Sequence, residues 1–282
     1  MGGSVQWRKK NAGNGGKKPE VPKTALEQVQ SRFGNKIVDG IQGQYAQGLA
    51  KGIVASANFF GDEVMNGVDI TNRFSGDHKG GYVVAGETNL VGDSVWVSGG
   101  EAEDCRNRGH IVGAETDEDQ AAQMTVHELT HVATGFTATK EIRDLNQQEN
   151  DILSASGVSK RMYEYLWHKA LHSRGDKGLK LANSLIDEGV SPDDAVKLIT
   201  LTNNRIGANK IFCISVIHQA MSSIGMKITR NNEKAFGLSI SQYASESLAE
   251  AVAEGISDVL INGDKAALAS KAVADAYKTL KN

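Results

Sequence analysis

Apolar and polar residues alternate along this chain in two rhythms, and the change between them divides it into regions. Residues 25–33 repeat at helical spacing. Between Gly61 and Gly113 the chain turns glycine-rich, with short stretches suited to strands. Gly81-Tyr82-Val83-Val84-Ala85 and Ser94-Val95-Trp96-Val97-Ser98 are bounded by Gly and Asp turns, and His110-Ile111-Val112 forms a third candidate. This block predicts a small twisted sheet.

The helical rhythm then returns. Thr116 is a fitting N-cap, and Asp117, Glu118 and Asp119 place negative charge where the helix dipole favours it. Ala122, Val126, Leu129 and Val132 recur on one face, and Gly135 is the expected stop. Residues 141–226 read as mainly helical. Within them, Ser191-Pro192-Asp193-Asp194 is a capping hydroxyl followed by a first-turn proline and acids. A final helix pair covers 243–261 and 264–280, separated by the turn signal Asn262-Gly263. No internal repeat is visible. The order of elements predicts an α+β fold.

Composition alters this picture only at the N-terminus. The chain has 282 residues, 40% of them apolar, which is enough for a sizeable core. Residues 1–23 carry Arg8, Lys9, Lys10, Lys17, Lys18 and Lys23 against a single Glu20, amid Gly and Asn. Such a segment buries too little apolar surface to offset its ordering entropy, so a disordered basic arm is expected there. A solvated linker is the plainer reading of the arm; a contact with nucleic acid or a virion is the other. The net charge of −3 gives no whole-molecule reason to expect nucleic acid. Cys105 and Cys213 form no CxxC site and no disulfide framework, which fits a reducing compartment. No apolar run is long enough for a membrane span and no secretory signal is recognisable, so host cytoplasm or a virion is the expected setting.

The chemistry concentrates in Val126-His127-Glu128-Leu129-Thr130-His131-Val132, an HExxH segment. Histidines four apart share one helix face, so both imidazoles can reach one ion. Glu128 sits about 100 degrees further round the helix, where it reaches a zinc-bound water rather than the metal. Zinc lowers the pKa of that water towards about 7, and the carboxylate takes its proton. A catalytic zinc needs a third protein ligand. Downstream, Glu246, Glu250, Glu254 and Asp258 fall four apart as an acidic stripe, which by itself reads as a solvated face.

Together, the HExxH segment, Tyr243 and the ExxxE of Glu250 to Glu254 resemble the gluzincin metallopeptidases. The closest pattern is that of the lethal-factor-like zincin domains of phage minor head proteins and bacterial toxins. The resemblance covers about 30 residues in two short motifs. It implies a zincin-like domain over 24–282, in which 141–235 is a mainly helical insertion before a C-terminal glutamate helix. It implies Glu250 as third zinc ligand, Glu254 as a supporting carboxylate and Tyr243 as donor to the oxyanion. A rival frame makes Glu254 the ligand and Asp258 its support, as in thermolysin-like enzymes; Glu149 and Asp151 are weaker alternatives. Only the Glu250 frame also places a tyrosine.

The expected activity is a zinc-dependent endopeptidase, phage or prophage encoded, acting on a protein or peptide. The alternatives are a virion structural or docking protein with a structural or inactive zinc site, and a delivered toxin protease. His168 and His172 are again four apart but have no acid between them, so surface or core-edge histidines are the default, and the lone His78, His110 and His218 default to structural roles. The stretch Gly80 to Ser98 offers an edge strand for β-augmentation by an extended peptide, or an ordinary sheet strand.

Overall fold

The computed structural model describes residues 24–73, 77–79, 82–84, 86–98 and 113–281. The expected basic arm and the candidate strand 110–112 lie outside the described residues, as do Cys105 and His110. The architecture is α+β, a largely helical body around a small mixed sheet.

Helix α1 (Ala25–Phe33) is closed by a capping box, in which Thr24 and Glu27 each satisfy the other's backbone N–H. After α2 (Asn35–Gly40) comes α3 (Ala46–Phe60), which the mixed pattern of that stretch does not announce. Its signal is hidden because it is apolar on nearly every side and interrupted by Gly48 and Gly52. Those glycines are there for packing. A Cβ on Gly48 would lie 2.5 Å from the Glu118 carbonyl oxygen, and one on Gly52 2.6 Å from that of Ala122. The backbone of α3 therefore touches the helix that carries HExxH, α4 (Asp117–Val132).

Three strands, β1 (Asp69–Arg73), β4 (Gly86–Thr88) and β5 (Ser94–Ser98), form one sheet in the order β1-β5-β4. β1 runs parallel to β5 with Asp69 opposite Ser94, and β4 antiparallel with Gly86 opposite Val97. β2 (Asp77–Lys79) and β3 (Tyr82–Val84) make a separate antiparallel pair. The alternation expected at 94–98 is thus a central strand with Val95 and Val97 in the core, while the described part of 81–85, Tyr82–Val84, pairs with β2. β4 is an edge of its sheet among the described residues, and it lies against α4.

Thr116 caps α4 as expected, accepting from Asp119 N at 3.1 Å. Gly135 does not stop the helix. Its φ is not positive, and the chain winds on as a π-helical turn over Ala133–Thr137. The helical half follows: α5 (Lys140–Ser156), α6 (Lys160–Leu171), α7 (Lys177–Asp187), the 32-residue α8 (Pro192–Ser223) and α9 (Arg230–Leu238). Ser191 caps α8, as its sequence predicts.

The expected helix 243–261 is broken. Tyr243–Ser245 is a single 3₁₀ turn, Ser247 caps a new start by accepting from Glu250 N at 3.2 Å, and α10 runs Leu248–Asn262. Gly263, at φ +55°, ends α10, and α11 (Leu268–Leu280) closes the chain.

Two apolar cores result. The larger gathers Leu49, Ile53, Val95, Val126, Leu129, Val252 and Tyr277 from α3, β5, α4, α10 and α11. The smaller lies among α5, α6, α7 and the first half of α8, and it takes in Val91 from the β4–β5 turn. Among the described residues, no helix is long and apolar enough to cross a membrane.

Candidate metal centre

Helical periodicity puts His127 and His131 on the face of α4 that α10 crosses. Their rings stand edge to face with centroids 4.9 Å apart, and their Nε2 atoms are 3.1 Å from each other. From the first turn of α10, Glu250 Oε2 reaches to 3.0 Å from His127 Nε2 and 3.4 Å from His131 Nε2. Three donor atoms thus form a nearly regular triangle. A tetrahedral divalent cation with donor bonds of about 2.0–2.1 Å spaces its ligand atoms about 3.3–3.4 Å apart, close to what the triangle has. Glu250 Oε2 is buried and no hydrogen bond is aligned on it. A buried carboxylate oxygen left in that state is costly unless a cation completes it. His127, His131 and Glu250 could therefore hold a metal ion. The side chains of His131 and Glu250 keep 24% and 21% of their surface exposed, so the cluster opens to solvent on one side.

Glu254, one helical turn beyond Glu250, approaches the other side of the His127 ring, with Oε1 2.8 Å from Nδ1. The pair is off the line that a ring N–H requires, so Nδ1 has a close carboxylate neighbour without an aligned hydrogen bond. With a cation on Nε2, the ring's remaining proton would sit on Nδ1, facing Glu254. Asp258 faces elsewhere. It accepts from Asn262 Nδ2 at 2.8 Å and from Ala267 N at 2.9 Å, tying α10 to the start of α11. Glu149 is paired with Arg205 inside the helical half, and Asp151 accepts from Gln147 on the surface.

Electrostatics bind these groups to one another. Burial alone disfavours a charged His127, but the two carboxylates close to its ring, Glu250 and Glu254, outweigh it and raise its pKa well above the usual imidazole value. Burial likewise works to raise Glu250, yet the two imidazoles overcome it and hold the carboxyl far below the ordinary carboxylate range. Glu128 moves the other way. Its burial raises its pKa, and only part of that is cancelled by His127, His131 and Thr88.

Glu128 is held by β4, which packs against α4. Thr88 Oγ1 of β4 lies 2.9 Å from Glu128 Oε2 and 2.8 Å from the Glu128 carbonyl oxygen. Gly86, on the same face of β4, leaves the space that Glu128 fills: a Cβ there would stand 2.7 Å from Oε1. Neither Thr88 nor Gly86 is marked by any local pattern, because their role depends on where a distant strand lands. Tyr243, on the 3₁₀ turn before α10, places its ring 5.8 Å from the His127 ring. Burial first, then the charges of Glu250 and Glu128, push its hydroxyl pKa well up, so it remains protonated and able to donate.

Among the described residues, His168, His172 and His218 stand apart from the cluster. His168 and His172 are exposed, with Glu164 3.7 Å from His168, and His218 contacts Glu233 at 2.6 Å. The side chain of His78 lies outside the described residues. Cys213 is buried, and burial pushes its thiol up to about 12. Comparison of the chain with protein-family models, curated proteins and solved structures finds no match to any of them.

Proposed function

We propose that the protein is a zinc-dependent endopeptidase of the gluzincin kind. The observation that carries this reading is the convergence of His127 Nε2, His131 Nε2 and Glu250 Oε2, with a buried carboxylate, Glu128, beside them. Two imidazoles and one carboxylate with a side open to solvent suit zinc in a hydrolytic rather than a closed structural role. Bound there, the ion would act as a Lewis acid and make water a better nucleophile at neutral pH.

The chain's own residues supply the rest. Glu128, with a raised pKa and Thr88 fixing one oxygen, is suited to take a proton from the attacking water and return it to the leaving amine. Tyr243 is suited to donate a hydrogen bond to the carbonyl oxygen as negative charge develops on it. Glu254 orients the His127 ring. Among the described residues β4 pairs only with β5, so an extended peptide could add to its other edge, next to Glu128, as a further strand and bring a scissile bond to the site. That geometry favours protein or peptide substrates. A phage or prophage setting, and any contact made by the basic arm, rest on the motif resemblance and the composition of residues 1–23.

Glu128→Gln is expected to retain one zinc per chain while cleavage of a peptide library falls by about 10²- to 10⁴-fold. Unchanged cleavage removes Glu128 from the chemistry. A wild-type protein that holds zinc and cleaves nothing overturns the peptidase reading in favour of a structural zinc.

A further inference from the structure

The helical half supplies none of the three clustered ligand atoms, yet it grips both the β4–β5 turn and the π turn after His131. Arg205 on α8 is 3% exposed and pairs with Glu149 on α5, Nε to Oε1 at 2.7 Å and Nη2 to Oε2 at 3.2 Å. Thr202 Oγ1 donates to the same carboxylate at 3.1 Å and lies 2.8 Å from the Tyr163 hydroxyl. An ion pair buried for stability alone would be complete at that point. The guanidinium goes further. Nη2 donates to the Leu90 carbonyl at 3.0 Å, in the turn that follows β4. Nη1 points at the Gly135 carbonyl at 3.4 Å, in the π turn that follows His131. Its plane also covers the Phe136 ring at 4.2 Å, and that ring is pressed against Gly92.

A second grip lies beside the first. Glu164 on α6 accepts from Leu90 N at 3.2 Å and from Asn89 Nδ2 at 3.0 Å, while Val91 sinks its side chain into the smaller core. The turn is only five residues, 89–93, from Thr88 to β5, so what holds Leu90 also holds Thr88 against Glu128. A planar guanidinium with a fixed fork of donors can serve a carboxylate and two carbonyls at once, which an ammonium cannot.

We propose that Arg205, with Glu164 beside it, is a positioning residue that ties the β4–β5 turn to the π turn after His131. The helical half thereby sets the separation between the edge strand and the HExxH helix. For catalysis this rests on the endopeptidase reading; the mechanical tie does not.

The test is Arg205→Lys, which keeps a cation opposite Glu149 but cannot reach both carbonyls. Backbone hydrogen exchange is followed in the zinc-loaded full chain, alongside zinc affinity, thermal midpoint and peptide hydrolysis. Exchange across residues 88–94 is expected to quicken at least tenfold, while amides of α3 and α10 and the zinc affinity stay within about twofold. Hydrolysis is expected to lose at least tenfold in kcat/KM, mainly through a raised KM, because the strand that receives the peptide has shifted. Unchanged exchange over 88–94 overturns the proposal whatever hydrolysis does. Faster exchange in a protein whose wild type cleaves nothing keeps the tie and sinks the endopeptidase reading. If Arg205→Lys does not fold, Glu164→Ala carries the same exchange measurement, with the same two outcomes.

Discussion

Two clusters of buried ionisable groups lie in this molecule, and they are finished differently. Around Arg205, one carboxylate meets one guanidinium, Thr202 and Tyr163 complete the ring of partners, and the spare donors find carbonyl oxygens. Around His127, three carboxylates crowd two imidazoles. There, Glu250 Oε2 and His127 Nδ1 are buried without an aligned hydrogen bond. A satisfied buried cluster has done its work once the chain is folded. One with excess negative charge and orphaned donor atoms could be completed by a cation. Glu149 and Glu250 are both buried-side glutamates on helices, and only their partners tell them apart.

The sharpest way to break the comparison is to remove one carboxylate from each cluster. Glu149→Ala leaves a guanidinium buried without its counter-ion, and a loss of about 3–5 kcal/mol in unfolding free energy is expected in metal-free protein by denaturant titration. A loss under about 1 kcal/mol would place the Arg205 cluster outside the framework of the fold.

A smaller effect is expected from pH, and it runs in opposite directions for the two states of the site. In metal-free protein, His127 has a raised folded pKa. Its contacts therefore stabilise the fold fully below the unfolded value of about 6.5 and cease to do so as pH rises through the folded value. Glu250 is depressed, so its share is present above about 4.3 and is lost as pH falls towards its folded value. The contribution of this pair to metal-free stability is thus largest between those two unfolded values. A metal must displace the His127 proton, so zinc affinity should fall up to about tenfold per pH unit on acidification below the folded pKa of His127. Competition titrations at pH 6, 7 and 8 measure this; an affinity flat with pH would mean that His127 is already neutral.

How much of this was legible in the chain depends on the range of the interaction. Local chemistry could be read directly: Thr116 and Ser191 cap the helices they precede, and Asn262-Gly263 turns the chain between α10 and α11. The spacing of His127 and His131 also places both on one helix face. What depends on distant packing was hidden. Glycine lowers helix propensity, yet Gly48 and Gly52 let α3 touch α4. The stripe from Glu246 to Asp258 read as one helix face, but Ser247 restarts the helix after Glu246; Glu250 and Glu254 meet opposite sides of the His127 ring, and Asp258 turns to α11. Thr88 and Gly86 carry no signal until β4 is placed against Glu128.

The central claim, that His127, His131 and Glu250 form one cation site, is met most directly by zinc titration calorimetry of the wild type, Glu250→Ala and Glu254→Ala side by side. One zinc per wild-type chain is expected, with affinity lost by several orders of magnitude in Glu250→Ala but by only about 10- to 100-fold in Glu254→Ala, where an orienting carboxylate is removed. Undiminished zinc binding by Glu250→Ala, or the larger loss in Glu254→Ala, would contradict the assignment.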